Sequence, residues 1–379
     1  MPRFVFAVDS LKGTLSSEES ERILAAAARR AFPGCTCVSV PIADGGEGTL
    51  DAVRSSVPGA RLHEVAVTGP LREPTTAQWL LLPDGRALIE LAQAAGLTLV
   101  PEQDRDPAAA TTLGVGQLVS AALDAGARDI TLAIGGSATN DGGLGLLAAL
   151  GWCFRDETGE PLPPVGASLG RVAAIDGSGS DPRLSSAAFH VMCDVANPLC
   201  GSAGCAAVFA PQKGATPAQV RLLDEGMGSF AEVACAHLGF DRSEHPGAGA
   251  AGGVGFAAQA FLDADFVLGI DALLDMVGFE GLLEGADLVV TGEGRLDAQT
   301  AGGKAVAGVA ARAAAAGVPC VALCGAVEPG ARIPGLAAAE STVTAIGDLG
   351  EHLARAGEAY GDAADRLFAL LAVGAGFGA

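Results

Sequence analysis

The chain has 379 residues, half of them hydrophobic, with a formal net charge of −21. That length suits two domains better than one, and the acidity opposes binding to nucleic acid or to an anionic membrane surface. The nine cysteines form no CxxC pair, which argues against a zinc framework or a disulfide scaffold.

The opening residues Met1-Pro2-Arg3 run into an apolar strand, Arg3–Val8, without a signal-peptide pattern, so a cytoplasmic location is expected. No apolar stretch reaches membrane-spanning length. Ser16 and Glu19 form a capping-box pattern ahead of a helix that runs to about Ala31. Thr36–Ile42 reads as the next strand, which makes a β-α-β unit and predicts a parallel sheet. Arg61–Thr68, Thr76–Leu82 and Arg86–Leu91 read as an antiparallel meander, the last two joined through Pro83-Asp84-Gly85. Then follow a strand Asp129–Ile134, a Gly-rich loop and a helix Gly143–Leu150. Phe189–Asp194 and Ala207–Ala210 are strand candidates, and Pro217–Leu238 is an amphipathic helix. The last third reads as strand Asp287–Thr291, helix Gly303–Ala316, strands Val318–Cys324 and Thr342–Ile346, and helix Glu351–Leu371. The expected architecture is α/β: a doubly wound domain from residues 1–64 and 285–379, with a mixed α/β domain, 65–284, inserted into it and the active site in the cleft between them.

The chain has only three lysines, Lys12, Lys213 and Lys304, each beside a glycine. A lysine kept where the backbone can approach closely suggests an ammonium that meets an anion; chance survival on the surface is the bland alternative. Asp9-Ser10-Leu11-Lys12-Gly13-Thr14 lies between the first strand and the first helix, where hydroxyls, N–H groups and an ammonium would suit a phosphate. An ordinary β-to-α turn would look the same. Asp44 and Glu47 in Asp44-Gly45-Gly46-Glu47-Gly48-Thr49 could hold Mg²⁺ through water, or could simply sit in a solvated turn.

Gly135-Gly136-Ser137-Ala138-Thr139-Asn140-Asp141-Gly142-Gly143 is the best phosphate cradle in the chain, because successive small residues expose a row of backbone N–H groups. It is not a Walker A loop, since no GxxxxGK[ST] occurs. Asp194, at a strand end, suits a general base, a metal ligand or a turn cap. In Thr291-Gly292-Glu293-Gly294-Arg295-Leu296-Asp297, Arg295 could clamp a carboxylate or phosphate, and Glu293 and Asp297 could hold Mg²⁺ or act on a hydroxyl. A salt-bridge cluster is the alternative. Gly247 to Gly252 matches GxGxxG but follows no strand, so it reads as a Gly-rich loop and not a dinucleotide site. The five histidines lack metal spacing, and no GxSxG elbow is present.

In this order, Asp9 to Gly13, Asp44 to Thr49, Gly135 to Gly143, Cys193 to Gly201, Pro211 to Ala215, Gly247 to Gly253 and Thr291 to Lys304 resemble the type I glycerate kinase family (the D-glycerate 2-kinase group). Leu11 stands where that family usually has Phe, an exchange of one hydrophobe for another. The resemblance implies Mg²⁺- and ATP-dependent phosphorylation of D-glycerate, with the 2-phospho product expected. It also implies one flavodoxin-like domain and one restriction-endonuclease-like domain. On our physical reading, Ser10, Lys12, Gly13, Gly135, Gly136, Ser137 and Lys304 hold the ATP phosphates, with Lys12, Asp194 and Asp297 catalytic. Arg295, Asn140 and Lys213 meet the substrate, and Asp194 and Glu293 hold the metal. Two other classes stay open: a sensor that binds sugar acids without turnover, and an NAD-linked hydroxy-acid dehydrogenase. A homo-oligomer is compatible with the sequence.

Overall fold

The computed structural model describes every residue except 12, 44, 298–299, 301–304, 344–347 and 376–379. The chain divides into two compact units, residues 1–44, 51–58 and 268–379, and residues 45–50 and 59–267.

The first unit carries a five-stranded sheet, all parallel, in the order Thr36–Ser39, Arg3–Val8, Leu288–Gly292, Cys320–Cys324, Leu336–Ser341. Numbered along the unit this is 2-1-3-4-5, the flavodoxin-like doubly wound order. The central strands are buried on both faces, hence their near-continuous apolar sequences. On one face Phe4, Phe6, Val290 and Leu323 pack with Leu24 and Ala28 of the helix Ser17–Ala31 and with Ala364 and Phe368 of the helix Ala356–Ala375. The first of these helices opens on the expected capping box between Ser16 and Glu19.

The second unit carries a six-stranded mixed sheet in the order Asp265–Val267, Ala188–Met192, Asp129–Ala133, Ala87–Glu90, Pro74–Leu81, Arg61–Thr68. The first four strands are parallel, and the last three form the expected antiparallel meander. Trp79, Ile89, Leu118, Ile130, Leu146 and Val191 belong to its core.

Three expectations along the chain are corrected. Ala207–Ala210 is not a strand; it falls on the helix Cys205–Phe209 and its cap. The run is half alanine, the best helix former, and a short apolar run has no period of its own to mark it as β. The strand expected at Thr342–Ile346 lies earlier, at Leu336–Ser341, in an alanine-rich segment of weak β propensity; residues 344–346 lie outside the described residues. Glu351–Leu371 is two helices, Leu349–Ala354 and Ala356–Ala375, broken at Arg355. The Gly247–Gly252 run ends outside regular helix, as expected of a loop: Ala251, Gly252 and Gly253 take positive φ, and the regular helix that ends at Phe261 begins after them. Among the described residues, no helix is long and apolar enough to cross a membrane.

Candidate functional site

In the second unit the buried strand Asp129–Ala133 delivers the chain to the Gly135–Gly143 loop, which backbone hydrogen bonds hold on three sides. Gly135 N donates to Gly45 O at 3.0 Å, Ala138 N to Ala95 O at 2.8 Å, and Gly142 N to Gly252 O at 2.9 Å. A side chain at Gly135 would place its Cβ 2.6 Å from Gly46 Cα, so only glycine fits. Gly252, at φ +68°, brings its backbone so close to Thr139 that a Cβ would lie 2.1 Å from Thr139 O. The GxGxxG segment therefore serves as a support for this loop.

The loop's polar side chains turn inward. Ser137, Thr139, Asn140 and Asp141 are buried, whereas Gly136 is exposed. Lys213 is 2% exposed, and its Nζ donates to Ser137 Oγ and Thr139 O, both at 2.7 Å. Burial depresses the Lys213 ammonium to about 8, opposed by the nearby Cys205 and Asp141. Asp141 Oδ2 accepts from Thr112 N and Oγ1, both at 2.8 Å, and from Gly145 N at 3.2 Å; its Oδ1 accepts from Gly143 N at 3.1 Å. Burial raises the Asp141 pKa, and these donors oppose the rise. The Asn140 amide is buried with no hydrogen-bond partner among the described residues. Asp194 lies two residues beyond the strand Ala188–Met192 and is exposed. In the same unit Glu47 Oε1 accepts from Thr98 Oγ1 at 3.0 Å.

In the first unit the strand order reverses between Arg3–Val8 and Leu288–Gly292, the position at which open α/β sheets bind ligands beyond their carboxyl ends. Both strands end in candidate segments. Asp9 N donates to Gly292 O at 2.9 Å, Ser10 N donates to Asp9 Oδ1 at 2.7 Å, and Gly13 takes φ +81°. Glu293 is 9% exposed and its Oε1 accepts from Thr300 Oγ1 at 2.6 Å, while Thr300 Oγ1 accepts from Asp297 N at 3.1 Å. The Arg295 side chain is 65% exposed, hydrogen-bonded to Glu328 and 3.9 Å from Asp297.

Of the residues expected to act, ten assemble in two groups, each within one unit, and Asp194 is not among them. Gly135, Gly136, Ser137, Asn140 and Lys213 meet at one loop of the second unit. Ser10, Gly13, Glu293, Arg295 and Asp297 belong to the strand ends at the reversal point of the first. Lys12 and Lys304 lie outside the described residues. Thr112 and Gly252 were missed, although both support the loop. The pair Thr111-Thr112 just before an apolar helix was the one available signal for Thr112. Among the described residues, no group of three or more His, Cys, Asp or Glu could hold a metal ion.

A sequence model described as the glycerate kinase family matches residues 4–372. Glycerate 2-kinase of Escherichia coli (strain K12) is 42% identical over 376 residues, covering 98% of each chain. Glycerate kinase of Bacillus subtilis (strain 168) is 45% identical over 326 residues, 86% of this chain and 85% of that one. A crystal structure from Salmonella typhimurium LT2, provisionally named glycerate kinase 2, superposes with a TM-score of 0.85 at 41% identity, covering 98% of this chain and 99% of that one.

Proposed function

The chain belongs to the glycerate kinase family, and on that premise we propose that it transfers the terminal phosphoryl group of ATP to a hydroxyl of D-glycerate, giving ADP and 2-phospho-D-glycerate. The observation that carries this reading is the near-complete span of the family match, which takes in both site groups. A backbone cradle at Gly135–Gly136 and paired acidic and basic groups at the Glu293–Asp297 loop are the parts that phosphoryl transfer needs, since such catalysis is mostly positioning and charge neutralisation.

In this reading the glycerate hydroxyl oxygen bonds to the γ-phosphorus as the bond to the β-γ bridging oxygen breaks, and ADP leaves. The Asp194 carboxylate takes the hydroxyl proton; its exposure suits a group that must meet substrate. Gly136, Ser10 and Gly13 lend backbone or hydroxyl donors to phosphate oxygens, while Gly135, whose N–H is held by Gly45 O, fixes the turn; Lys12 and Lys304 add positive charge, and Arg295 exchanges its Glu328 partner for the substrate carboxylate. Asn140 and Lys213 are buried, so we place the Asn140 side chain within the loop and Lys213 behind it, away from the substrate. Mg²⁺ would neutralise phosphate charge. Asp194 and Glu293, with Asp297, are suitable oxygen donors, and Mg²⁺ takes only one or two carboxylates with waters and phosphates completing its shell.

The test is ADP release with Mg·ATP and D-glycerate, followed by ³¹P NMR of the product. Glycerate-dependent ADP and a 2-phosphoglycerate signal are expected. ADP release with a 3-phospho signal would overturn the regiochemistry alone, and binding of glycerate with no ADP would leave a sensor. Asp194→Asn should lower kcat by about 10²–10⁴-fold with the fold intact. Turnover within a few-fold of the parent would remove Asp194 from the chemistry.

A further inference from the structure

We propose that Lys213 is a positioning residue that clamps the Gly135–Asp141 loop from behind, through Ser137 and Thr139, so that the loop's backbone donors stay aligned for the nucleotide phosphates without the ammonium touching them. The proposal rests on the kinase reading of that loop.

Three observations carry it. The first is position. Lys213 ends a 3₁₀ turn, Pro211–Lys213, and Gly214 at φ +95° redirects the chain against the backbone of Arg105, where a Cβ would lie 2.5 Å from Arg105 O. The backbone is therefore fixed on the residue next to the lysine, and the ammonium does not search for its partners. The second is the bonding. The two partners of Nζ are Ser137 Oγ and Thr139 O, one side chain and one carbonyl two residues apart in the loop. A single cation thus spans the segment in which the chain turns from strand to helix, and charge-assisted bonds are the stronger kind. The third is burial. At 2% exposure the ammonium has been withdrawn from water, and a desolvated cation is tolerated only where fixed groups replace its hydration. Asp141 in the loop and Cys205 at the start of the helix Cys205–Phe209 are the titratable groups near it; burial keeps the Cys205 thiol protonated, pushed up to about 12, and an Asp141 carboxylate would favour the ammonium. Asp141 is itself fixed by Thr112, Gly143 and Gly145. The loop is therefore held from behind by the Lys213 ammonium and by the Asp141 carboxyl group's bonds while Gly136 faces out.

An ordinary core lysine would also be buried and bonded, so the test separates the two roles. Lys213→Met keeps the length and apolar stem but removes the charge and donors. Hydrogen exchange of amides 135–142 in the ligand-free protein should lose at least roughly tenfold in protection, with protection in the strand Arg61–Thr68 unchanged. The KM for Mg·ATP should rise roughly tenfold or more, while the KM for D-glycerate moves less than about threefold. Should Lys213→Met fail to fold, Ser137→Ala, which removes one partner and keeps the charge, is read by the same two criteria with a smaller change expected. Unchanged exchange in the loop would overturn the clamp whatever the activity. Looser exchange with an unchanged KM for Mg·ATP in an active enzyme would overturn its role in nucleotide positioning. A wild type without kinase activity would refute the functional reading, while the exchange result still decides the clamp.

Discussion

The Gly135–Gly143 loop and the Glu293–Asp297 loop both follow a buried parallel strand, and both mix glycine with polar residues, yet they are built in opposite ways. In the first, Ser137, Asn140, Asp141 and Lys213 are buried, and all of these but Asn140 are bonded to one another, to Thr112 or to the backbone. In the second, Glu293 is buried against Thr300, but Arg295 is largely exposed, and its partner Glu328 is exposed too. An inward loop presents backbone and holds its shape before any ligand arrives; an outward one presents side chains that can change partners. Rigid backbone donors suit the phosphates, which every cycle brings in the same form, and an exchangeable guanidinium suits a small carboxylate. The contrast predicts that substitutions in the first loop act on stability first, and in the second on substrate binding first.

The largest expected effect tests the inward loop. Asp141→Ala removes an acceptor that satisfies four donors from Thr112, Gly143 and Gly145, all in the buried interior. The loss should be about 3–5 kcal/mol in denaturant unfolding of the second unit, the scale of a broken buried charge network. Asp141→Asn should cost less, because three of the four bonds converge on Oδ2 and one acceptor oxygen survives. If Asp141→Ala costs under about 1 kcal/mol, the loop is not prestressed by its side chains and the contrast with the outward loop fails.

Much of this was readable in the sequence, and what was not has physical reasons. The capping box at Ser16 and Glu19, the turn around Asp84 and the strand Arg61–Thr68 appear where local patterns put them, because each is determined by neighbours in the chain. Ala207–Ala210 failed because a short alanine-rich run carries no period, and its packing against the helices Pro217–Leu238 and Ala250–Phe261 decides its state. The loops themselves were legible because glycine is needed where backbone approaches backbone. Which way their side chains face was not. Lys213 meets Ser137 across 76 residues of sequence, and no local spacing encodes that. The polar residues Ser137 and Asn140 read as ligand donors for the same reason that they can serve as buried structural groups: their chemistry is identical in both roles. Gly252 was read as loop because its partner, Thr139 O, is equally remote.

A second, intermediate effect reads the ground beneath the outward loop. Glu21 of the helix Ser17–Ala31 is 1% exposed and accepts from Val8 N at 3.3 Å, at the strand end that leads into Asp9. Burial raises its pKa from 4.5 to about 8. The folded state therefore holds this proton across a range in which the unfolded chain has released it. The stability it contributes is fully present below about pH 4.5 and is lost as pH rises towards 8. Other carboxylates titrate in the same range, so the measurement is the difference between wild type and Glu21→Gln. That difference should fall by up to roughly 1.4 kcal/mol per pH unit between the two limits. A difference that stays flat with pH would mean that Glu21 is ionised in the folded protein, with its charge met by groups other than Val8 N.

The smallest effect on stability, and the sharpest test of the outward loop, is Arg295→Ala. Its ion pair with Glu328 is between exposed side chains, and such pairs contribute about 0–1 kcal/mol. Unfolding should therefore shift by no more than about 0.5 kcal/mol. If Arg295 clamps the substrate carboxylate in a site closed to water, the same substitution should raise the KM for D-glycerate by roughly tenfold to a hundredfold, the weight of one charge-assisted contact of about 1.5–3 kcal/mol. The KM for Mg·ATP should barely move. Arg295→Lys keeps the charge but loses the planar fork, so it should recover only part of the affinity if the contact is bidentate and nearly all of it if a point charge suffices. An unchanged KM for D-glycerate in both variants would leave Arg295 as Glu328's surface partner and nothing more, and the outward loop would then owe its function to Glu293 and Asp297.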